Sequence, residues 1–384
     1  MPWKETTPVD QRMRWIGALS TCRWTMLELC RLYGISRKTG YKWARRYGEE
    51  GLEGLKDRSR RPASCPHRTD ERCEAALVEE RRKHPSWGAR KLLTRLSRRH
   101  PDWPWPAAST ATAVLKRHGL VTPRKLRPRK PSRGKPHLEA AAPNDLWTAD
   151  FKGEFRTGDR RLCYPLTLAD HRSRFLLECR GRRSTARAHA RPVFEQAFST
   201  YGLPRAILTD GGPPFSCAAT PRRLSRLAVW WIKLGIEPIL IQPGHPEQNG
   251  RHERMHRTLK AETARPPAAS LEAQQAAFDR FRHEYNHERP HEAIGQVPPA
   301  ELYAHSPRRY PMHEPQVSYP GHLEVRRVRS KGGIRFQGHR FHLSETLGRE
   351  WVGVEEVDDG LWTVRFGAFV LGRYDARDET FEPL

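Results

Sequence analysis

Three acidic residues occupy positions where a carboxylate has a chemical use. Asp150 lies in the apolar run LWTADF, where burying an unpaired carboxylate is costly. Asp210 follows AILT and precedes two glycines, so a strand ends there and delivers its carboxylate into a turn. Glu253 lies in a basic helical segment that begins in a glycine-containing turn. Hard oxygen ligands of this kind suit Mg2+ or Mn2+, which take phosphate oxygens and water as their remaining ligands.

The composition favours a polyanionic partner. The 384 residues include 69 lysines and arginines against 44 aspartates and glutamates, which gives a formal net charge of +25. A charge this large repels itself within a folded monomer, so nucleic acid is the expected partner. A merely basic, soluble surface is the alternative. The length predicts two to four domains.

Other acids compete with these three positions. Any single acid of this kind can be a hydrogen-bonded structural residue, and Asp170 at the end of another strand-like run is an example. Glu247 is a rival for the third position, but it lies in a proline-rich loop, whereas Glu253 belongs to a helix that can hold it rigidly. We therefore prefer Glu253. The same helix carries three residues at helical spacing from Glu253 that we predict bind the DNA backbone: His256, Arg257 and Lys260.

Residues 1–62 have the pattern of a helix-turn-helix DNA-binding domain. Residues 24–33 place apolar side chains on one helical face, Gly34 and Ile35 form a turn, and Ser36 is a good N-cap for a helix to Tyr47. An ordinary helical hairpin is the structural alternative. The second helix carries five basic residues that we predict bind DNA, in the major groove if they contact bases: Arg37, Lys38, Lys42, Arg45 and Arg46.

A second helical module is predicted over residues 63–121, either as another DNA-binding module or as a structural bundle. Residues 122–143 are rich in proline and basic residues, so they are expected to form an extended linker that follows phosphates rather than a folded core. Five residues of this linker are predicted to bind DNA: Arg124, Lys125, Arg127, Arg129 and Lys130.

From residue 144 the sequence alternates between strands and helices. Strands are predicted at 146–151, 162–169, 175–179, 206–210 and 238–242, and helices at 185–201, 222–234, 248–263 and 271–287. Three strands followed by helix–strand repeats predict an α/β domain over 144–305, with a mixed sheet covered by helices. Short strands separated by glycines predict a small β-barrel-like domain over 318–384, with a hairpin turn at Asp358–Gly360.

The α/β segment resembles the integrase core of insertion-sequence transposases and of retroviral integrases. Four matching segments occur in the expected order: NDLWTADF at 144–151, LTDGGPPF at 208–215, GHPEQNGRHERMHRTLK at 244–260 and YNHERPH at 285–291. The resemblance implies a multidomain protein with a ribonuclease H-like catalytic core, and a DDE triad at Asp150, Asp210 and Glu253. It also supports the N-terminal all-α modules as readers of element ends.

The resemblance further implies a reaction. A DDE transposase cleaves the 3′ ends of its element and transfers those strands to target DNA, using two Mg2+ ions that Mn2+ can replace. Double-stranded DNA, both as element ends and as target, would be the substrate, and a homo-oligomer would assemble on it. None of the serines or cysteines lies in a convincing nucleophile setting.

The sequence departs from the family pattern at two places. Gly211 follows the second acid, where the family usually has asparagine. Forty-two residues separate Asp210 from Glu253, and the excess over the usual spacing fits a longer segment before the last strand. The paired His and paired Cys zinc module of retroviral integrases is not recognised near the N-terminus.

Two other functions compete with transposition. A catalytically silent DNA-binding regulator derived from a transposase would use the same basic modules, but it leaves the three acids unexplained. A ribonuclease acting on RNA–DNA hybrids would share the core fold. The additional DNA-binding modules and the segment Tyr285–His291 argue against it.

The cysteines and the hydropathy pattern indicate in which cellular compartment the protein is expected. Seven cysteines are scattered without a CxxC pair, so neither a zinc ribbon nor a disulfide framework is predicted. No segment approaches 18 apolar residues, and residues 1–10 lack an apolar signal core. We therefore expect a cytoplasmic, nucleoid-associated protein with no membrane partner.

Overall fold

The computed structural model describes residues 7–59, 68–121, 140–242 and 244–384. The chain divides into two units, Met1–Arg68 and Thr69–Leu384. The five linker residues predicted to bind DNA lie outside the described residues: Arg124, Lys125, Arg127, Arg129 and Lys130. Among the described residues, no helix is both long and apolar enough to span a bilayer.

The first unit contains three helices, α1 (Pro8–Ser20), α2 (Met26–Leu32) and α3 (Arg37–Glu50). The side chain of Ser36 caps α3 by accepting a hydrogen bond from the backbone N–H of Thr39, as the sequence predicts. Gly34 supplies the positive φ of the turn before α3. The three helices enclose a small apolar core that includes Trp15, Leu29 and Trp43.

One predicted DNA contact on α3 is corrected by this packing. Arg46 is only 8% exposed; its guanidinium lies over the Trp43 ring and donates a hydrogen bond to the carbonyl of Lys56. It therefore stabilises the turn after α3 instead of facing outward. The other four basic residues of the predicted recognition surface are exposed: Arg37, Lys38, Lys42 and Arg45.

The second unit begins with three more helices, α4 (Glu71–Lys83), α5 (Ala89–Arg99) and α6 (Ala108–Arg117). They share an apolar core around Trp87, Leu92 and Leu96. The opposite side of α5 is basic, and its arginines pair with acids between residues 288 and 301. These pairs are Arg90–Glu292 at 2.8 Å, Arg95–Glu288 at 2.7 Å and Arg98–Glu301 at 2.6 Å.

A six-stranded mixed sheet forms the centre of this unit. Its strands are β1 (Leu146–Phe151), β2 (Phe155–Arg156), β3 (Leu162–Asp170), β4 (Leu176–Arg182), β5 (Ala206–Thr209) and β6 (Glu237–Leu240). β1, β5 and β6 run parallel to one another, while β3 is antiparallel to both β1 and β4. The helices are α7 (Arg187–Tyr201), α8 (Arg226–Lys233), α9 (Gly250–Thr263) and α10 (Leu271–His287).

The two faces of the sheet pack against different helices. Trp147 and Ala149 of β1 share one core with α7 and α8, including Phe194 and Trp231. On the other face, Met255 and other apolar residues of α9 and α10 pack against β3 and β4. Because side chains alternate along a strand, Thr148 and Asp150 of β1 lie on the α9 face.

Seven strands follow the core: β7 (Glu324–Arg327), β8 (Gly333–Phe336), β9 (His339–His342), β10 (Trp351–Asp358), β11 (Leu361–Phe366), β12 (Phe369–Asp375) and β13 (Thr380–Pro383). Five of them form a sheet in the order β13-β12-β11-β10-β7, and the other two described strands, β8 and β9, pair with each other. The hairpin between β10 and β11 turns at Gly360, whose φ is +71°, as the sequence predicts.

The expectation of a C-terminal barrel is not confirmed, because the five-stranded sheet is open among the described strands. The β8–β9 hairpin packs against this sheet through aromatic side chains and not through a hydrogen-bonded ladder. Phe341 stacks on Phe381 of the edge strand β13 with ring centroids 5.4 Å apart, and Phe336 meets Trp362 edge-to-face at 4.7 Å. The sheet also shares the apolar core of α7 and α8.

The pairing between α5 and the core yields a stability prediction. Arg95 lies 2.8 Å from Glu80, which is 3% exposed, and also pairs with Glu288. Arg95→Met leaves the buried Glu80 carboxylate undercompensated, so we expect the free energy of unfolding to fall by about 3 kcal/mol in urea denaturation. The double variant Arg95→Met, Glu80→Gln should recover much of that loss.

A matched control uses the outer pair Arg90–Glu292, in which both side chains are well exposed. Arg90→Met should have a much smaller effect on unfolding, since water screens that pair. Equal losses for Arg90→Met and Arg95→Met would contradict the assignment of a buried ionic contact between Arg95 of α5 and Glu80 of α4.

Candidate functional site

The register of two parallel strands determines where the first two acids lie. β1 and β5 pair from Leu146↔Ala206 to Ala149↔Thr209. The next residue on each strand is therefore Asp150 and Asp210. Neighbouring strands lie about 4.8 Å apart, so these carboxylates project side by side from the carboxyl ends of the strands. Such strand ends are where open α/β sheets build their sites.

Helix α9 brings the third acid to the same edge. Glu253 lies in its first turn and is exposed, whereas His252 and Met255 face the interior. The pKa of Asp150 is raised to about 7, first by burial and then by the negative charges of Asp210 and Glu253, against a lowering by Lys152. The three acids are thus within electrostatic reach of one another.

The acids do not converge to ligand distances in this structure. Within the described residues, no group of three or more His, Cys, Asp or Glu side chains is arranged to hold a metal ion. Asp150 is held in the sheet, with its side chain 17% exposed, whereas Asp210 and Glu253 are exposed at a strand end and on a helix. A bound cation would have to draw these oxygens together.

A buried network of histidines and threonines lies beneath Asp150. The hydroxyl of Thr167 lies 2.6 Å from Nε2 of both His252 and His256, and Thr148 Oγ1 lies 2.8 Å from His252 Nδ1. Thr167 pairs with Asp150 across β1 and β3, so it occupies the same face of the sheet. Burial lowers the pKa of His252 to about 3 and that of His256 well below its usual value. Both rings are therefore neutral at physiological pH.

Neutrality constrains the hydrogen bonds of this network. Each neutral imidazole has one N–H donor and one acceptor nitrogen. The single hydroxyl proton of Thr167 can go to the carbonyl of Asp150, 3.2 Å away, or to one ring, so at least one ring donates its Nε2–H to Thr167. His256 Nδ1 also lies 3.6 Å from Asp150 Oδ2, which couples the network to the acid.

This burial corrects one site prediction on α9. His256 is 4% exposed and faces the sheet, so it does not lie on the outer side with the predicted DNA contacts. Arg257 and Lys260 are exposed, as the helical spacing predicts.

The two acids that compete with the triad have other partners in the structure. Glu247 lies 2.8 Å from His245 Nδ1, and buried Asp170 accepts hydrogen bonds from Ser173 and from the backbone of Asn144.

Sequence reasoning missed a contribution from Asn249. This residue is 6% exposed, and its Nδ2 donates to Asp150 Oδ2 at 3.4 Å. Its Oδ1 is buried without a hydrogen-bond partner among the described residues. An orphaned oxygen beside a carboxylate is unusual, since buried acceptors are normally satisfied. The sequence feature that could have indicated this contact is the position of Asn249 immediately before α9, the helix that carries Glu253.

Sequence reasoning also missed Arg223 beside Gly211. The guanidinium of Arg223 donates from Nη2 to the carbonyl of Gly211 at 2.9 Å, and the hydroxyl of Ser216 donates to the same carbonyl. A Cβ at position 211 would lie 3.1 Å from that guanidinium. A side chain from 12 residues away therefore occupies the space next to the second acid.

Family comparisons cover most of the described chain. Two models of the integrase core domain match residues 140–246 and 234–299. A helix-turn-helix domain model matches residues 11–63, and a homeodomain-like domain model matches residues 39–115. The integrase matches contain the strands and the helix that carry the three acids.

Two curated relatives come from bacterial insertion elements. The chain is 29% identical over 256 residues to the insertion element IS476 uncharacterized 39.2 kDa protein of Xanthomonas euvesicatoria, covering 66% of this chain and 70% of that protein. It is 28% identical to the insertion element IS407 uncharacterized 31.7 kDa protein of Burkholderia multivorans, covering 42% of this chain and 56% of that protein.

Among solved structures, the magnesium complex of the integrase catalytic core domain of HTLV-2 matches 43% of this chain and all of its own, at 16% identity and a TM-score of 0.35. The domain matches and the insertion-element relatives carry the assignment. The chain contains an integrase core domain together with helix-turn-helix domains, and it is similar to proteins of bacterial insertion elements.

Proposed function

We propose that the protein is a DNA transposase that cleaves the 3′ ends of an insertion sequence and joins them to target DNA, with Asp150, Asp210 and Glu253 as its catalytic acids. The observation that carries this proposal is the β1–β5 register, which sets two of these acids side by side. A catalytically silent DNA-binding regulator is not favoured, because it gives no use to a carboxylate whose pKa burial and two like charges raise to about 7.

The residues at this edge fit a divalent cation. Burial and like charges disfavour the ionised form of Asp150, and a cation would relieve both effects. The buried, unpartnered Oδ1 of Asn249 adds a further hard oxygen nearby. Two Mg2+ ions, or Mn2+ in their place, would supply activation of the attacking oxygen and stabilisation of the leaving oxygen. Asp150, Asp210 and Glu253 would hold them.

The chain's own residues have separate tasks in this proposal. Asn249 and His256 orient the Asp150 carboxylate from the buried side, while neutral His252 and Thr167 hold His256 in place. Arg257 lies one turn after Glu253 on the exposed side of α9, and Lys260 follows it. These two cations would bind phosphates on either side of the scissile bond.

The remaining modules would select and grip the substrate. We propose a DNA-binding domain over 1–62 that reads element ends through the exposed Arg37, Lys38, Lys42 and Arg45, and a second helical module over 63–121. We propose three further segments: a linker over 122–143, the catalytic core over 144–305 and a β domain over 318–384. Joining two element ends at once requires a homo-oligomer on the DNA.

Replacement of each acid by its amide tests the assignment. Asp150→Asn, Asp210→Asn and Glu253→Gln should each lower Mg2+-dependent nicking of an element-end duplex by about 1000-fold or more, because each removes a charged ligand from a site built to stabilise a developing charge. Binding of the same duplex should change little. Gel assays of nicking, joining and binding on labelled DNA measure all three.

The matched control for Glu253 is Glu247→Gln, a change of the same chemistry six residues away. Glu247→Gln should retain nicking within a few-fold of the wild type. Normal nicking by Asp210→Asn, or loss of nicking only with Glu247→Gln, would overturn the proposed triad.

The raised pKa of Asp150 predicts a pH-dependent stability. The folded metal-free protein holds this proton more tightly than the unfolded chain, so its stability falls as the pH rises from about 4 through about 7. Asp150→Asn removes the penalty, which is at most on the order of 4 kcal/mol at about 1.4 kcal/mol per pKa unit. In metal-free thermal melts the variant should therefore gain Tm over the wild type at pH 8 and gain little at pH 4.

Added Mg2+ should reverse this ranking. The cation binds the wild-type carboxylates and should raise the Tm of the wild type more than that of Asp150→Asn. A difference in Tm that does not change with pH, or equal increases in Tm with Mg2+, would show that the pKa of Asp150 is not raised and that Asp150 does not bind the cation.

A further inference from the structure

A basic cavity of about 470 Å³ lies between helices α7 and α8 and the C-terminal strands. It belongs to the α7/α8 face of the sheet, whereas Asp150 lies on the α9 face, so the cavity is separate from the acidic site. Five cationic residues line it: Arg187, Arg191, Arg226, Lys233 and Arg349. Only two acids, Glu314 and Glu350, lie among them, which leaves an excess of positive charge.

Two of the five cations are already neutralised. Glu314 pairs with Arg191 at 3.1 Å and with Lys233 at 2.7 Å, and Glu350 pairs with Lys233 at 3.0 Å. The Arg191 guanidinium also lies over the Trp230 ring, 4.7 Å from its centroid. This ion-pair chain joins α7 and α8 to the C-terminal part of the chain and holds the cavity in shape.

The other three arginines have no such partners. The exposed side chains of Arg187, Arg226 and Arg349 make no ion pair or hydrogen bond with the residues that the structure describes. Three guanidinium groups that line one cavity without described ion-pair partners create a local positive potential, which favours the binding of an anion.

The backbone at Arg349 provides an independent observation. Its φ is +76°, in the left-handed region that side chains other than glycine and asparagine rarely adopt. Hydrogen bonds from Arg349 N to Val328 O and from Val328 N to Glu350 O, both 2.9 Å, hold it there. Gly348 packs closely, since a Cβ on it would lie 2.5 Å from the carbonyl of Ser330. These hydrogen bonds and this close packing fix the backbone from which the Arg349 side chain lines the cavity.

We propose that this cavity binds the phosphodiester backbone of duplex DNA. Arginine forks bind phosphate oxygens in pairs, and the hydroxyl-bearing residues Ser330 and Thr346 also line the cavity. The three unpaired arginines are exposed, so they can reach successive phosphates of a long polyanion rather than enclose one small anion. The inference rests on the proposed function only in taking DNA as the polyanion.

A triple variant tests the site: Arg187→Ala, Arg226→Ala and Arg349→Gly, in which glycine suits the positive φ of position 349. The full-length protein carrying Asp210→Asn is titrated, without divalent metal, with a fluorescent duplex that lacks element ends, at several salt concentrations. Each lost phosphate contact should lower the slope of log K against log salt by about 0.9. We expect the slope to fall by about 2 to 3 and the affinity at low salt to fall about 10-fold or more.

The matched control removes the same charge elsewhere on the C-terminal strands: Arg335→Ala, Arg340→Ala and Arg373→Ala, all exposed and outside the cavity. The control should lose much less slope than the cavity variant. Equal losses in both variants would show a general charge effect and overturn the proposal. A second result would also overturn it: the cavity variant binds the duplex as the wild type does but no longer binds pyrophosphate, which the wild type binds. The cavity would then take only a small phosphate.

The outcome is separable from the proposed reaction, because no cleavage is measured in this titration. Nicking by the wild type together with an unchanged salt slope in the cavity variant overturns the cavity alone. Absence of metal-dependent nicking by the wild type, together with a reduced slope in the cavity variant, overturns the proposed reaction and leaves the cavity as a DNA-binding site.

Discussion

Two carboxylates on adjacent parallel strands repel one another, and this repulsion is the constraint around which the core is arranged. The pairing of Ala149 with Thr209 forces Asp150 and Asp210 into neighbouring positions at the end of the sheet. Burial is the largest cause that raises the pKa of Asp150 to about 7, and the repulsion from Asp210 is the next. A fold selected only for stability has no reason to keep this arrangement, whereas a cation-binding site requires it.

The surroundings of Asp150 hold it without neutralising it. The two histidines beneath it are uncharged, because burial lowers the pKa of both. They form hydrogen bonds with Thr148 and Thr167, and His256 lies 3.6 Å from the carboxylate without supplying a counter-charge. Lys152 is the only cation whose charge lowers the Asp150 pKa among its main influences. In the proposed site, bound divalent cations would supply the remaining positive charge.

The remaining architecture distributes basic surfaces around this edge. On one face of the sheet, α9 exposes Arg257 and Lys260 close to Glu253. On the other face, the C-terminal sheet shares an apolar core with α7 and α8 and forms the arginine-lined cavity with them. Arginines of α5 form ion pairs with acids that follow α10, so α5 attaches the helical module to the core. On α6, Lys116 and Arg117 are exposed.

Strong local patterns were predictable from the sequence. The apolar runs ending at Phe151 and Asp210 gave β1 and β5 their positions, and Ser36 marked the start of α3. The resemblance to the integrase core implied that Asp150 and Asp210 lie close together, and the parallel pairing of β1 and β5 brings their carboxyl ends to one edge of the sheet. The position of Asp170 as a structural acid was equally accessible, because a nearby serine can satisfy it.

Other features depend on tertiary contacts that spacing does not encode. His256 was expected on the outer side of α9 because of its helical spacing from Glu253, but Thr167 offers it a partner in the interior. Arg46 was expected to face DNA because it is basic, and the Trp43 ring holds it inward. The C-terminal strands have barrel-like sequence, yet closure depends on how hairpins pack. Arg223 lies beside Gly211 because the loop between them folds back, and the spacing of the two residues in the sequence does not indicate this.

The central claim is that Asp150, Asp210 and Glu253 hold divalent cations together. Crystals of the protein bound to an element-end duplex and grown with Mn2+ would test it through anomalous scattering, which locates manganese independently of any assumed ligand. We predict two manganese peaks whose protein ligands are Asp150, Asp210 and Glu253. Manganese bound only elsewhere, or through Glu247 with Glu253 turned to solvent, would contradict it.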